Sequence, residues 1–432
     1  MAAIPNEDMI HRVFWGQPIS DQQSYLRGAE RIPKASVLTV DELGHRIDRY
    51  WDPQGLLETR QGTGHLRDEF VARMEKAAER ALGPNPVVSL SGGIDAPAVA
   101  AFAAPIYAAR TGLPLPALSA VYPDQPAVDE SQYIELVATR LNMDLRTFVP
   151  SAGPLDDINR LLSIAEGPVP TVSLAESAEY YRLARQQGFR TILTGEMAEF
   201  VMAMGSQTLR HLLTRGRLIP AARYLREERA RGVRPKRLVR EGAASLMPEA
   251  WLAARRRRRG QFPQQRVTWL EAERFPPQNR DRQLSRVWET QQLSAFFGPG
   301  LSVEADEAIQ VAHGVRVRRP WLDLDLWEFF LSLPAAVKYP DGGYKSLVRK
   351  WLRGIVPDEI LDRRDRTYFD DSFFARVDYS VLKQHLGSDA YQMPGVDYKR
   401  LRHRLDEGEM PLIELMWAKD LAVIHAFMGG WE

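Results

Sequence analysis

The chain contains no cysteine. Disulfides, thiolate metal sites and a cysteine nucleophile are therefore excluded. Net charge is nearly absent too: 57 basic against 56 acidic residues leave +1. A dedicated nucleic-acid binder shows a clear basic excess, so nucleic acid is not an expected partner. No run approaches the roughly 18 apolar residues of a membrane span, and no membrane partner is expected. The opening MAAIPNEDMIHRVFWGQ lacks the basic and apolar regions of a signal peptide, which points to a cytoplasmic location. The eight histidines show no HExxH spacing, GxxxxGK[ST] is missing, and no repeat recurs at a fixed period. Gly62-Thr63-Gly64 has no GxGxxG continuation and carries no dinucleotide reading.

What is present suffices for sizeable cores: 44% of the 432 residues are hydrophobic. That length suggests roughly two to three units. Residues 1–55 hold turn formers and two strand-like runs, RIPKASVLTVDE and HRIDRYWDP, without a long helical period. Residues 66–82 read as an amphipathic helix ended by Gly83-Pro84. Strands are then expected at 86–90, 117–122, 145–149 and 191–193, alternating with helices at 96–109, 130–141 and 176–187. This alternation predicts an α/β fold, a parallel sheet with helices on both faces. Beyond Pro320 the chain reads as mostly helical, through LDLWEFFLSLP, YKSLVRKWLRGIVP and IELMWAKDLAVIHAFM. The Trp and Phe residues near 321–330 follow helical spacing and are expected in the core.

The most informative segment is Val87-Val88-Ser89-Leu90-Ser91-Gly92-Gly93-Ile94-Asp95. A buried strand enters a Ser-Gly-Gly turn, and a helix starts at once. Glycines let backbone approach a ligand closely. Free N–H groups and the positive end of the helix dipole then face that ligand. Ser91 adds a hydroxyl, and Asp95 is placed to hold a divalent cation. The plain alternative is an Asp N-cap on an ordinary strand-turn-helix corner.

These residues resemble the SGGxDS loop of the ATP-pyrophosphatase superfamily, with Ala96 in place of the final Ser and Pro97 after it. Three further stretches resemble the synthetase half of class-B asparagine synthetases. Thr194-Gly195-Glu196-Met197-Ala198-Glu199-Phe200 is similar to SGEGADE. Gly314-Val315-Arg316-Val317-Arg318-Arg319-Pro320-Trp321-Leu322-Asp323 is similar to GVEVRxPFLD. Gly342-Gly343-Tyr344-Lys345 and Ile355–Arg364 are similar to GGxxK and LLPPEVLxRR. Even Arg27–Pro33 and Arg49–Pro53 resemble the end of that family's glutaminase domain.

The resemblance implies ATP and magnesium as cofactors. It implies nucleotide contacts at Ser89, Leu90, Ser91, Gly92, Gly93, Asp95, Ser119 and Gly195, and metal ligands at Asp95 and Glu199. It implies catalytic roles for Glu196 and Lys345, with Lys345 at an α-phosphate whose charge grows in the transition state. The plain readings are a solvated Lys and two dipole-stabilised surface carboxylates. Asp323 and Asp325 are expected to cap a helix. The implied units are a glutaminase remnant at 1–55, an α/β core at 56–204, an arginine-rich insertion at 205–265 and a helical completion at 266–432. A chain without cysteine lacks the glutaminase nucleophile. The amine is thus expected from solution, from a separate protein partner, or from the substrate itself, as in β-lactam synthetase and lasso-peptide cyclase. The implied activity is an ATP-dependent ligase that adenylates a carboxylate-bearing substrate, a precursor peptide among the options. The alternatives are a degenerate pseudoenzyme and one subunit of a split synthetase. Arginines crowd 205–260, with five in a row at 255–259. They read as a solvated face, or as a dock for an acidic substrate or RNA.

Overall fold

The computed structural model describes residues 4–60, 62, 64–168, 174–199, 208–230, 234–248, 251, 267–275, 293, 300–338, 345–363, 367–388 and 391–431. Helix α1 (Glu7–Phe14) comes first, with Asn6 accepting from the Met9 N–H at its start. Sequence periodicity missed it. Strands β1 (Ser36–Asp41) and β2 (Gly44–Arg49) follow as an antiparallel, largely exposed hairpin, β1 within the first predicted run and β2 starting one residue before the second.

Helix α2 (Leu66–Ala81) then buries Leu66, Phe70, Met74, Ala78 and Ala81, one stripe at helical spacing. Removing Phe70 and Met74 from water contributes roughly 2 kcal/mol each. Next come β3 (Pro86–Ser89), α3 (Asp95–Thr111), β4 (Pro116–Ala120), α4 (Ser131–Arg140) and β5 (Asp144–Phe148). They are followed by α5 (Ile158–Ala165), α6 (Leu174–Gln186) and β6 (Thr191–Leu193). A fifth sheet strand, β7 (Arg316–Arg318), was not predicted.

The sheet runs β5-β4-β3-β6-β7, all parallel. Successive strand residues point to opposite faces, and both faces are covered. Val87, Leu118 and Ile192 enter one core, with α5, α6 and the C-terminal helix Leu412–Gly429. Val88, Ala117 and Leu193 enter the other, with α2, α3, α4 and the helices Leu324–Ser332 and Ser346–Trp351. Trp321, Trp327, Phe329 and Phe330 are buried in that second core, as expected. Asp323 caps Leu324–Ser332 by accepting from the Asp325 N–H, also as expected.

Strand order decides where a ligand can sit. The chain moves outward from β3 to β4 and β5, then returns to β6 on the other side of β3. Connections leave β3 and β6 in opposite directions, which opens a crevice at their carboxyl ends. Both motif turns, after Ser89 and after Leu193, lie at that crevice.

Candidate active site

Leu90 and Ile94 anchor the first turn in the core, at 3% and 6% exposure. Ser91 and Gly93 stand exposed between them, while Gly92 is buried. Both backbone polar groups of Gly92 are engaged. Its N–H donates to Glu130 Oε2 at 3.0 Å, and its carbonyl accepts from Arg363 Nη1 at 3.0 Å. Arg363 also meets Glu130 Oε1 at 2.7 Å and donates to Thr367 Oγ1 at 2.8 Å. Its guanidinium lies 4.2 Å from the Tyr133 ring centre. A Cβ on Gly92 would come within 2.9 Å of Glu130 and Tyr133, so glycine is needed here for space.

Asp95 is the first residue of α3. The N-cap position belongs to Ile94, which makes no side-chain cap. That removes the plain capping reading. One Asp95 oxygen pairs with the Lys345 ammonium. The other, Oδ1, is buried and has no hydrogen-bond partner among the described residues. Burial pushes this carboxyl up, Lys345 opposes the push, and the Glu199 carboxylate adds to it. Glu199, in the helix start that follows the β6 turn, is therefore within electrostatic reach of Asp95. The N–H groups of Gly93, Ile94, Asp95 and Ala96 make no hydrogen bond among the described residues. Unpaired N–H groups at the start of a helix of 17 residues suit an anion. Pro97 removes only an N–H that the first helical turn would leave unpaired.

The second turn touches the first through backbone. A Cβ on Gly195 would lie 2.3 Å from Ala96 N and 2.5 Å from Asp95 C, so no larger residue fits. Met197 adopts φ 67°, the left-handed conformation. It stands where the family pattern has glycine, so the turn keeps a glycine-type backbone without the glycine. Glu196 is exposed but held: Arg319 Nε donates to its Oε2 at 2.8 Å. Arg319 also donates to Asp306 at 2.6 Å, and Asp306 accepts from Tyr181 Oη at 2.6 Å.

Lys345 is 3% exposed and also left-handed, at φ 55°. Helix Ser346–Trp351 follows it. Arg349 on that helix donates to the carbonyls of Leu361 at 2.6 Å and Arg363 at 3.0 Å. The lysine and the Gly92 turn thus share one support. Ser119 lies at the end of β4, 1% exposed, its Oγ without a partner among the described residues. Ser89, beside it at the end of β3, faces the Tyr180 hydroxyl. The structure gathers Ser91, Gly92, Gly93, Asp95, Gly195, Glu196, Glu199 and Lys345 around the crevice, with Ser89 and Ser119 at its strand ends. Leu90 contributes backbone only, since its side chain is core. Phe200, residues 341–344, Arg364 and the arginines at 255–259 lie outside the described residues.

Sequence reasoning missed Glu130, Arg363 and Thr367 as a unit. Glu130 and Arg363 are 233 residues apart, and neither stands out alone.

A buried carboxylate oxygen unpartnered among the described residues, with a second carboxylate within electrostatic reach, suits a divalent cation. Among the described residues no three or more His, Asp or Glu form a metal cage. Two carboxylates suit magnesium, which keeps waters and shares phosphate oxygens.

A crevice of this kind, with both motif turns at strand ends, defines the class: an α/β nucleotide-binding fold without a Walker loop. The class narrows further, because the asparagine synthase profile matches residues 69–421 and the chain belongs to that family. The family is one of ATP-dependent, amide-forming ligases. A search of curated proteins finds no match to the chain.

Proposed function

We propose that the chain activates a substrate carboxylate as an acyl-adenylate and passes it to an amine of the same substrate, closing an amide ring as lactam and lasso-peptide cyclases do. The observation that carries this reading is the Asp95 carboxylate. One of its oxygens is held by Lys345 and the other is buried and unpartnered among the described residues, in the crevice between β3 and β6. The free N–H groups at the start of α3 bind the phosphates. Asp95 and Glu199 would hold magnesium, which would offset the phosphate charge. The substrate carboxylate attacks the α-phosphorus, and the bond to pyrophosphate breaks. Lys345 offsets charge growing on the α-phosphate oxygens. The amine then attacks the acyl carbon, AMP leaves, and Glu196 accepts the amine proton in an orientation set by Arg319. An amine carried by the substrate itself needs no separate source of ammonia.

ATP–pyrophosphate exchange tests this. Exchange that requires a carboxylate substrate and is lost in Asp95→Asn supports it. A second reading, a pseudoenzyme, draws on the Arg319 clamp on Glu196 and on the engaged Gly92 N–H. Calorimetry with ATP and magnesium separates the two, because absence of binding leaves only the second.

A further inference from the structure

Three helices, Thr208–Thr214, Leu218–Ala230 and Pro235–Leu246, follow the Glu196 turn. The first two close on a small apolar centre of Leu209, Leu212 and Ala221, and the third packs against both. Glu58 ties the unit to the body. Its carboxylate lies 3.0 Å from His211 Nε2, accepts from Arg217 Nη1 at 3.1 Å, and accepts from the Ala335 N–H at 2.7 Å. The inner faces are thereby committed.

The outer faces are not. Ile219, Arg223, Arg226 and Arg229 form one exposed stripe at helical spacing. Lys236, Val239, Arg240 and Leu246 form a second. None of these five cations pairs with a carboxylate among the described residues. Among the positions of both helices whose side chains are described, the exposed ones carry no Asp or Glu. Ile219 is 82% exposed, Val239 73% and Trp251 72%, and none of them joins a hydrophobic cluster of the described residues.

We propose that this face docks the protein on an anionic phospholipid bilayer. Guanidinium and ammonium groups meet head-group phosphates, their stems lying along the interface. Ile219, Val239, Leu246 and the Trp251 indole reach the acyl boundary between them. A nucleic acid would use the charge and leave these apolar tips in water. A peptide helix would need a continuous apolar groove, whereas Arg240 separates Val239 from Leu246. No described helix is long and apolar enough to cross a membrane. Surface docking does not require one. Nothing here depends on adenylation.

The test is co-sedimentation of the full chain with phosphatidylserine–phosphatidylcholine vesicles and with phosphatidylcholine alone. Each basic residue is worth on the order of fivefold in affinity. Wild type binds the anionic vesicles, weakens as salt rises, and ignores the neutral ones. Combined Arg223→Glu, Arg226→Glu and Arg229→Glu lowers affinity by about 100-fold or more. Combined Ile219→Ser, Val239→Ser and Trp251→Ser lowers it roughly tenfold at unchanged charge. The proposal is overturned if wild type ignores anionic vesicles, which needs no variant to fold. It is equally overturned if the apolar variant binds as wild type does, or if polyuridylate or polyglutamate displaces the vesicles without sensitivity to that variant.

Discussion

The turn after β3 and the turn after β6 border one crevice but keep their shapes by different means. The first is held by hydrogen bonds to side chains from distant parts of the chain, Glu130 and Arg363. The second is held by steric fit, with Gly195 against the Ala96 backbone and Met197 in a left-handed conformation. A turn held by a buried ion pair tolerates little change in its supports. A turn held by backbone contact tolerates little change in itself. The family pattern fits this division. The first turn departs only at Ala96, and the second departs at Met197, Glu199 and Phe200.

The sharpest way to break the comparison is Arg363→Met. Arg363 and Glu130 side chains are each 9% exposed. Removing one partner leaves a buried charge uncompensated, which costs about 4 kcal/mol. Urea unfolding should show that loss, and adding Glu130→Gln should recover part of it. An unchanged midpoint for the single variant would show that the Gly92 turn does not rely on the pair.

Acid lability must not be mistaken for titration of the crevice, and its expected source lies on the other face of the sheet. Burial lowers the His425 imidazole from 6.5 to about 4. The folded state therefore keeps it neutral while the unfolded state takes up a proton. The contribution is complete above pH 6.5 and is lost as pH falls toward 4, by about 3 kcal/mol. Urea midpoints measured against pH should slope over that window, and in His425→Phe the slope should flatten. A slope that persists in the variant assigns the lability elsewhere.

For the second turn the informative pair is Gly195→Ala and Gly93→Ala. The first places a methyl 2.3 Å from Ala96 N, and the second meets nothing nearer than Ser91 Oγ at 3.7 Å. Overpacking against backbone costs about 2 kcal/mol and pushes the two turns apart. ATP binding by calorimetry should vanish in Gly195→Ala and survive in Gly93→Ala. Equal behaviour would mean the turns do not need to touch.

Much of this was legible in sequence, for physical reasons. Strands β3 to β6 and helices α3, α4 and α6 are local patterns, and their predicted bounds lie within a few residues of the observed ones, whereas α5 was not predicted. Ser91 to Asp95 could be singled out because a strand-turn-helix pattern is written in adjacent residues, whereas Gly195 and Lys345 were singled out through the family resemblance alone. Strand β7 was not. It has three residues, and Arg316 and Arg318 are exposed on either side of buried Val317. Helix α1 buries only Met9, Ile10 and Phe14, too few to mark a period. Glu130, Arg363 and Thr367 were hidden because their role exists only as a contact between distant segments.

The smallest effect probes the Met197 turn itself. A non-glycine residue in the left-handed region costs about 1 kcal/mol relative to glycine. Met197→Gly relieves that strain but loosens the unfolded chain, so the net gain is under about 1 kcal/mol. Met197→Val adds branching at Cβ, which the left-handed region tolerates worse, and should lose stability. The order Gly, Met, Val in urea midpoints is the outcome expected if backbone conformation alone governs this turn. If Met197→Gly is instead the least stable, the half-buried Met side chain supports the turn by packing. The second strand end would then resemble the first, held by side chains rather than by the shape of its backbone.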